Sequence, residues 1–265
     1  MSIFDNHVHL NPLSKDFFLK TFKKAGGTSI NLVNLTENCR SFEEFAEKYD
    51  ETISISRGLR QEGLEVVVTI GPYPVNYIEM RERFGREKAV EVYRKSIDLA
   101  ISLIEDGKAD AIGEVGRPHF ETANEIIVES NIIMEYIFQC TAGKDIPVIL
   151  HTESLDSNGM CDIMRMAKKN GKNSLVVKHF SAPIFSENCD IIPSVPAGRK
   201  NVRMAPWGNA GFFFETDFAG DESNPNFVLP PDSVPKRVAM LIQEGIDKEK
   251  IEHSMDFYND FYGLR

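Results

Sequence analysis

Short apolar runs alternate with stretches of helical period about eight times along this chain, and that alternation points to a parallel sheet covered by helices. The runs are Ile3–His9, Thr28–Leu35, Leu64–Ile70, Ala109–Val115, Ile146–His151, Leu175–His179, a short one at Asp190–Pro193, and Phe212–Asp217. Their Val, Ile and Phe content suits strands buried on both faces. Predicted helices lie between them. Ser14–Ala25 is N-capped by Ser14 and closed by Gly26-Gly27. Glu37–Gln61 follows, with Asp50-Glu51 as a point where it could break, then Arg86–Glu105, Glu121–Ala142 and Leu155–Lys169. Gly71-Pro72-Tyr73-Pro74 reads as a turn, and Pro183–Gly211 as mostly loop around the seventh strand. Ser233–Gly245 and Lys248–Tyr262 close the chain as helices. For 265 residues without repeat or linker, the leading expectation is α/β: a (β/α)8 TIM barrel, one domain over 1–265. An open doubly wound sheet is the fallback. No G-x-G-x-x-G or P-loop pattern follows any strand, which argues against dinucleotide and P-loop chemistry.

The polar residues fall at particular places on this frame. Strand one ends in His7-x-His9, strand four carries Glu114, strand five ends in His151, strand six in His179, and strand eight in Glu215-Thr216-Asp217. Residues 5, 7 and 9 share a face by simple alternation. Taken singly, His151 or His179 reads as a satisfied core histidine, Glu114 as a partner for Arg117, and Asp217 as a helix cap. Taken together they do not. In a parallel barrel the carboxyl ends of the strands form one rim, where active sites of this fold lie. Carboxylates buried there without a cation would cost several kcal/mol each. Imidazole nitrogens with carboxylate oxygens suit divalent zinc, manganese, iron or magnesium.

Charge and composition narrow the rest. A net charge of −10 and a pI near 5.2 argue against broad, nonspecific binding to nucleic acid or anionic membrane. Cys39, Cys140, Cys161 and Cys189 are widely spread and read as reduced thiols of a cytoplasmic protein. No apolar run approaches the roughly 20 residues that span a bilayer, and the N-terminus does not resemble a secretion signal.

In order along the chain, His7-x-His9, Gly113-Glu114-Val115-Gly116, His151, His179 and Glu215-Thr216-Asp217 resemble the TatD-related hydrolases of the amidohydrolase superfamily. The resemblance covers nearly the whole chain. It implies a TIM-barrel metal-dependent hydrolase, often a deoxyribonuclease or other phosphodiesterase, with two divalent metal ions. By the same resemblance His7, His9 and Asp217 would hold one ion, His151 and His179 the second, and Glu114 both. The family continues G-E-[IV]-G with Leu-Asp-Tyr, whereas this chain has Arg117-Pro118-His119-Phe120; Glu153 stands where the family often has arginine; and Phe180-Ser181-Ala182-Pro183 follows the strand-six histidine. The implied metal shell is intact while the substrate shell is altered.

Asp217 is the expected general base, using one oxygen on the metal and the other on the attacking water. Arg117 with His119 is the expected binding pair for an anionic substrate group, and Arg203 a further candidate, since guanidinium suits phosphate and carboxylate alike. Lys178 should point outward to helix or solvent if His179 points in. Trp207 reads as packing and His253 as a surface residue. The leading expectation is a phosphoester hydrolase acting on a small molecule or an oligonucleotide. A carboxylic ester, lactone or amide hydrolase is second, and a non-catalytic metal-binding protein third. Oligomeric state is not legible.

Overall fold

A computed structural model of the protein describes residues 1–36, 38–185, 189–205, 207 and 211–264. Among them the chain alternates β1 (Phe4–His9), α1 (Lys15–Lys24), β2 (Ser29–Val33), α2 (Phe42–Gln61), β3 (Glu65–Ile70), α3 (Pro74–Phe84), α4 (Arg86–Glu105), β4 (Ala111–Gly116), α5 (Asn124–Cys140), β5 (Val148–His151), α6 (Ser157–Lys169), β6 (Val176–Lys178), β7 (Ile191–Pro196), α7 (Arg199–Arg203), β8 (Phe213–Glu215), α8 (Ser233–Gln243) and α9 (Lys248–Tyr262). The strands run parallel in the order β1 to β8. The chain after β8 returns to β1: Asp217 N–H donates to His7 O at 3.0 Å, and His9 N–H donates to Phe218 O at 2.7 Å. The expected (β/α)8 barrel is what forms.

Hydrophobic burial explains the two layers. Val66, Val68, Ile112, Val148, Leu150 and Val176 face outward, under helical residues such as Phe45, Ile97, Ile137 and Ile163. Phe4, Val67, Ala111, Ile149, Val177 and Phe213 face inward and meet Tyr258, Phe261 and Tyr262 of α9. The closing helix therefore supplies side chains to the lower lumen. A polar layer lies above them. Tyr262 donates its hydroxyl to Asn6 Oδ1 at 2.7 Å, and Asn6 Nδ2 donates to Ser194 Oγ at 2.9 Å.

Several local expectations change. Helix α3 occupies residues after the expected turn, because Pro74 sits at its first turn, where a missing N–H costs nothing. Helix α2 runs unbroken through Asp50 and Glu51. It starts one turn later than expected, where Ser41 and Glu44 form a capping box; Glu37, the expected start, lies outside the described residues. At the head of α1, Ser14 makes no side-chain cap and its Oγ instead accepts from Asn11 N–H at 3.0 Å. The seventh strand extends to Pro196, and α7 forms inside the expected loop.

Candidate metal centre

The six side chains expected at the rim meet there, and the local backbone explains how. The β1–β2 register shifts between Asp5 and Val8, so simple alternation fails at that point. Asp5 accordingly does not share the face of His7 and His9. Its carboxyl accepts from Thr216 N–H at 2.9 Å and Thr216 Oγ at 2.7 Å, which ties β1 to the Glu215-Thr216-Asp217 segment. Asp217 itself adopts a left-handed backbone, φ 50°, a conformation Asp tolerates better than most residues. In the Gly-Glu-Val-Gly segment, a Cβ on Gly113 would stand 2.6 Å from Ile149 Cβ, and one on Gly116, at φ +135°, would collide with the His151 carbonyl. The two glycines let β4 approach β5 closely, which brings Glu114 beside His151.

Glu114 is the hub. Its Oε1 lies 3.3 Å from His7 Nε2, 3.1 Å from His151 Nδ1 and 3.0 Å from His179 Nε2. The Nε2 atoms of His7 and His9 are 3.2 Å apart, and Asp217 Oδ1 lies 3.5 Å from His9 Nε2 and 4.0 Å from His7 Nε2. Groups further out orient the rings. His9 Nδ1 is 3.1 Å from Val33 O, which can only accept, so that nitrogen carries the proton and Nε2 presents its lone pair to the cluster. His179 Nδ1 lies 3.0 Å from Glu215 Oε1, and His151 Nε2 lies 2.8 Å from His119 Nδ1.

Unpartnered ring nitrogens test whether a cation fits. His179 Nε2 lies 3.0 Å from the Glu114 carboxylate, and the buried Nδ1 atoms of His7 and His179 find no hydrogen-bond partner among the described residues. Buried polar atoms left unpaired around a carboxylate are costly unless an ion or water satisfies the cluster. Neutral imidazoles and carboxylates turned toward one another are the donor set divalent ions take, with outer partners fixing the ring tautomers. His7, His9 and Glu114 form one grouping able to hold an ion, and Glu114, His151 and His179 another. The residues fit the group.

Burial raises the carboxyl of Glu114, but His179, His151 and His7 more than offset it and hold it well below the ordinary range. Asp217 follows the same balance, pulled down by His179, His9 and His7. Glu215 differs. Burial, with Asp217 nearby, pushes its carboxyl up to about 8, although it accepts from Ser194 and from Phe180 N–H. Sequence reasoning gave Glu215 no role; its position one alternation before Asp217 on the same strand was the available signal.

The expected substrate residues fare differently. Arg117 is already engaged: its Nη2 and Nε meet Glu153 Oε1 and Oε2 at 2.5 and 3.1 Å, and Nη1 reaches Asn131 Oδ1 at 3.4 Å. His119 stands behind His151. Arg203 is drawn away from the rim, because Glu244, just beyond α8, takes its guanidinium at 2.8 and 2.5 Å. Lys178 corrects the outward, solvated reading: it is only 3% exposed, its ammonium bonds His179 O within reach of the charges of Glu215, Glu114 and Glu153, and burial lowers its pKa. Trp207 packs on Phe212 and Phe214 and donates to Val202 O at 3.1 Å, while His253 is exposed on α9.

A (β/α)8 barrel whose carboxyl rim gathers buried histidines and carboxylates has the donor set of a metal-dependent enzyme. The comparisons with known proteins give the family. The family model described as TatD related DNase matches residues 4–256, and the chain belongs to that family. It is 26% identical over 275 residues to the uncharacterized protein MJ1127 of Methanocaldococcus jannaschii, covering 97% of this chain and 96% of that one. It also superposes on the crystal structure of YJJV, a TatD homolog from Escherichia coli, with a TM-score of 0.66 at 16% identity, covering 99% of this chain and 98% of the other. At that identity the likeness speaks for the fold. No helix among the described residues is long and apolar enough to cross a membrane.

Proposed function

We propose that the protein hydrolyses phosphoester bonds with divalent metal ions, in the manner of its family. The observation that carries the reading is Glu114, one carboxylate oxygen within 3.0–3.3 Å of three imidazole nitrogens from three strands. In this reading His7, His9 and Asp217 would hold one ion, His151 and His179 would hold a second, and Glu114 would serve both; zinc, manganese and magnesium all suit the donors. When bound, such ions supply Lewis acidity to the ester oxygen under attack and make water acidic near neutral pH.

The chain's own residues do the rest. Asp217, held ionised by the neighbouring imidazoles, takes the proton of the attacking water and passes it to the leaving oxygen. Glu114, held ionised among three imidazoles, takes no part in proton transfer. With His151 Nδ1 given to an ion, its Nε2 would carry the proton and donate to His119 Nδ1, 2.8 Å away, so that His119 would fix the ring in one tautomer. Asp5 holds the strand that carries Asp217 through Thr216.

A second reading, hydrolysis of a carboxylic ester, lactone or amide, is favoured by the Arg117–Glu153 pair, which neutralises the cation expected to receive a phosphate. Turnover of bis-p-nitrophenyl phosphate and single-stranded DNA with Mn²⁺, Mg²⁺ or Zn²⁺ tests the first reading against a panel of lactones and N-acyl substrates. Metal-dependent cleavage of the phosphoesters supports it. Turnover confined to the second panel reverses the order, and none on either removes both.

A further inference from the structure

The metal centre leaves the cysteines unused, and two of them meet away from the mouth. Cys161 stands on α6 and Cys189 just before β7, and the Cys189 thiol donates a hydrogen bond to the Cys161 sulfur. The packing of the two segments explains the meeting. Lys168 follows Cys161 by two helical turns, so both side chains leave the same face of α6. The Lys168 ammonium pairs with the Asp190 carboxylate at 2.5 Å, which draws the segment of Cys189 and Asp190 against that face. Lys168 accordingly lies within electrostatic reach of both sulfurs. On the other side, the N–H of Ile191, the first residue of β7, donates to Cys189 and holds its sulfur in place.

The other two cysteines are placed differently. Cys39 is buried, whereas Cys161 and Cys189 are each partly exposed, so a small oxidant reaches them. Cys140 bonds Tyr136 of its own helix. None of the four is in a disulfide. Burial, with the hydrogen bond to Cys161, pushes the Cys189 thiol up to about 11, so Cys189 keeps its proton until late in any reaction. Cys161, which accepts that bond, is the sulfur left to react first.

We propose that Cys161 and Cys189 form a redox-modification site, at which a peroxide closes a disulfide between α6 and the segment leading into β7. The Cys161 sulfur attacks one oxygen of hydrogen peroxide: an S–O bond forms, the O–O bond breaks, and a water leaves with the Cys161 proton. The Cys189 sulfur then attacks the sulfenic Cys161. The S–S bond forms, the S–O bond breaks, and the hydroxyl departs with the Cys189 proton as a second water. Peroxide is reduced by two electrons and the thiol pair is oxidised by two. The bridge closes a ring of chain that contains β6 and His179.

The test uses reduced protein kept in chelator, so that its outcome does not depend on the metal reading. Hydrogen peroxide is added at about one equivalent per chain, remaining thiols are alkylated, and peptides are mapped by mass spectrometry without reductant. Thiols counted in denaturant should fall from four to two. The peptides of Cys161 and Cys189 should appear linked, about 2 Da lighter than the reduced pair, and dithiothreitol should restore all four thiols. Cys161→Ser should lose the link, and Cys39→Ala/Cys140→Ala should keep it. If either variant fails to fold, the peptide map of the wild type decides alone. A link through Cys39 or Cys140, a link between two chains, sulfinic acid at Cys161 without a link, or four surviving thiols would each overturn the proposal.

Discussion

Phe4 and His9 stand on one strand, Ile149 and His151 on another, Val177 and His179 at a third and Phe213 and Glu215 on a fourth, yet the two members of each pair serve opposite ends of the lumen. The lower members pack against Tyr258, Phe261 and Tyr262. Their burial stabilises the fold by roughly 1.5–3 kcal/mol for each large side chain removed from water. The upper members bury carboxylates and imidazoles, which costs stability unless a cation or a hydrogen bond compensates. A short step along each strand separates the part of the barrel that holds the fold from the part that does chemistry. The two are joined by one run of hydrogen bonds, Tyr262 to Asn6 to Ser194 to Glu215, the carboxyl that faces His179.

Substitutions at the two ends should separate activity from stability. At the mouth, Asp217→Asn should lower kcat by about 10²–10⁴-fold while most of the metal stays bound and the melting temperature holds or rises. Unchanged turnover would remove Asp217 from the base role. In the lower lumen, Phe213→Ala should cost about 3–5 kcal/mol in urea unfolding, with a smaller effect on kcat of the folded fraction than Asp217→Asn. A loss below about 1 kcal/mol would mean that the lower lumen is not the stabilising half. The link between them is probed by Ser194→Ala, which removes a donor from Glu215. Metal affinity should fall by less than the roughly 10–100-fold that losing a direct partner of a metal-binding histidine costs, because Ser194 acts one contact further out through Glu215; an unchanged metal-binding isotherm would leave the two ends independent.

The pH dependence of stability sharpens the same contrast. Burial sets the Glu215 carboxyl at about 8, above its ordinary 4.5, so the folded state holds this proton more tightly than the unfolded chain does. That contribution is complete below about 4.5 and is lost as pH rises through about 8. In the metal-free protein Glu215→Gln, which cannot ionise, should therefore gain stability relative to the wild type between those limits. A difference independent of pH contradicts this. The smallest effect belongs to neither end. Arg203→Ala breaks an exposed pair with Glu244, and should change stability by less than about 1 kcal/mol with no effect on KM.

Much of this was legible because the chemistry is written at strand ends. His151 and His179 close apolar runs, and Asp217 follows Phe212 to Phe214, so a period-two pattern broken by a polar residue marks the rim. Other features depend on contacts that spacing does not encode. The register shift in β1 turns Asp5 away from the histidines it would join by alternation. Pro72 and Pro74 signal a turn equally well whether or not a helix begins at Pro74. Arg117 and Arg203 both read as free cations, yet each has a carboxylate partner, Glu153 or Glu244, 36 or 41 residues away along the chain. Lys178 reads as an outward, solvated residue by alternation, yet it is buried with its ammonium on His179 O and the carboxylates of the mouth nearby.

The most direct test of the account is the metal stoichiometry of the protein, stripped with chelator and titrated with Mn²⁺, read beside that of Glu114→Ala. Gathering of His7, His9, Glu114, His151, His179 and Asp217 around paired cations predicts two ions per chain in the wild type and a sharp loss of affinity in the variant. A wild type that takes up no ion, or a variant that binds as the wild type does, would contradict it.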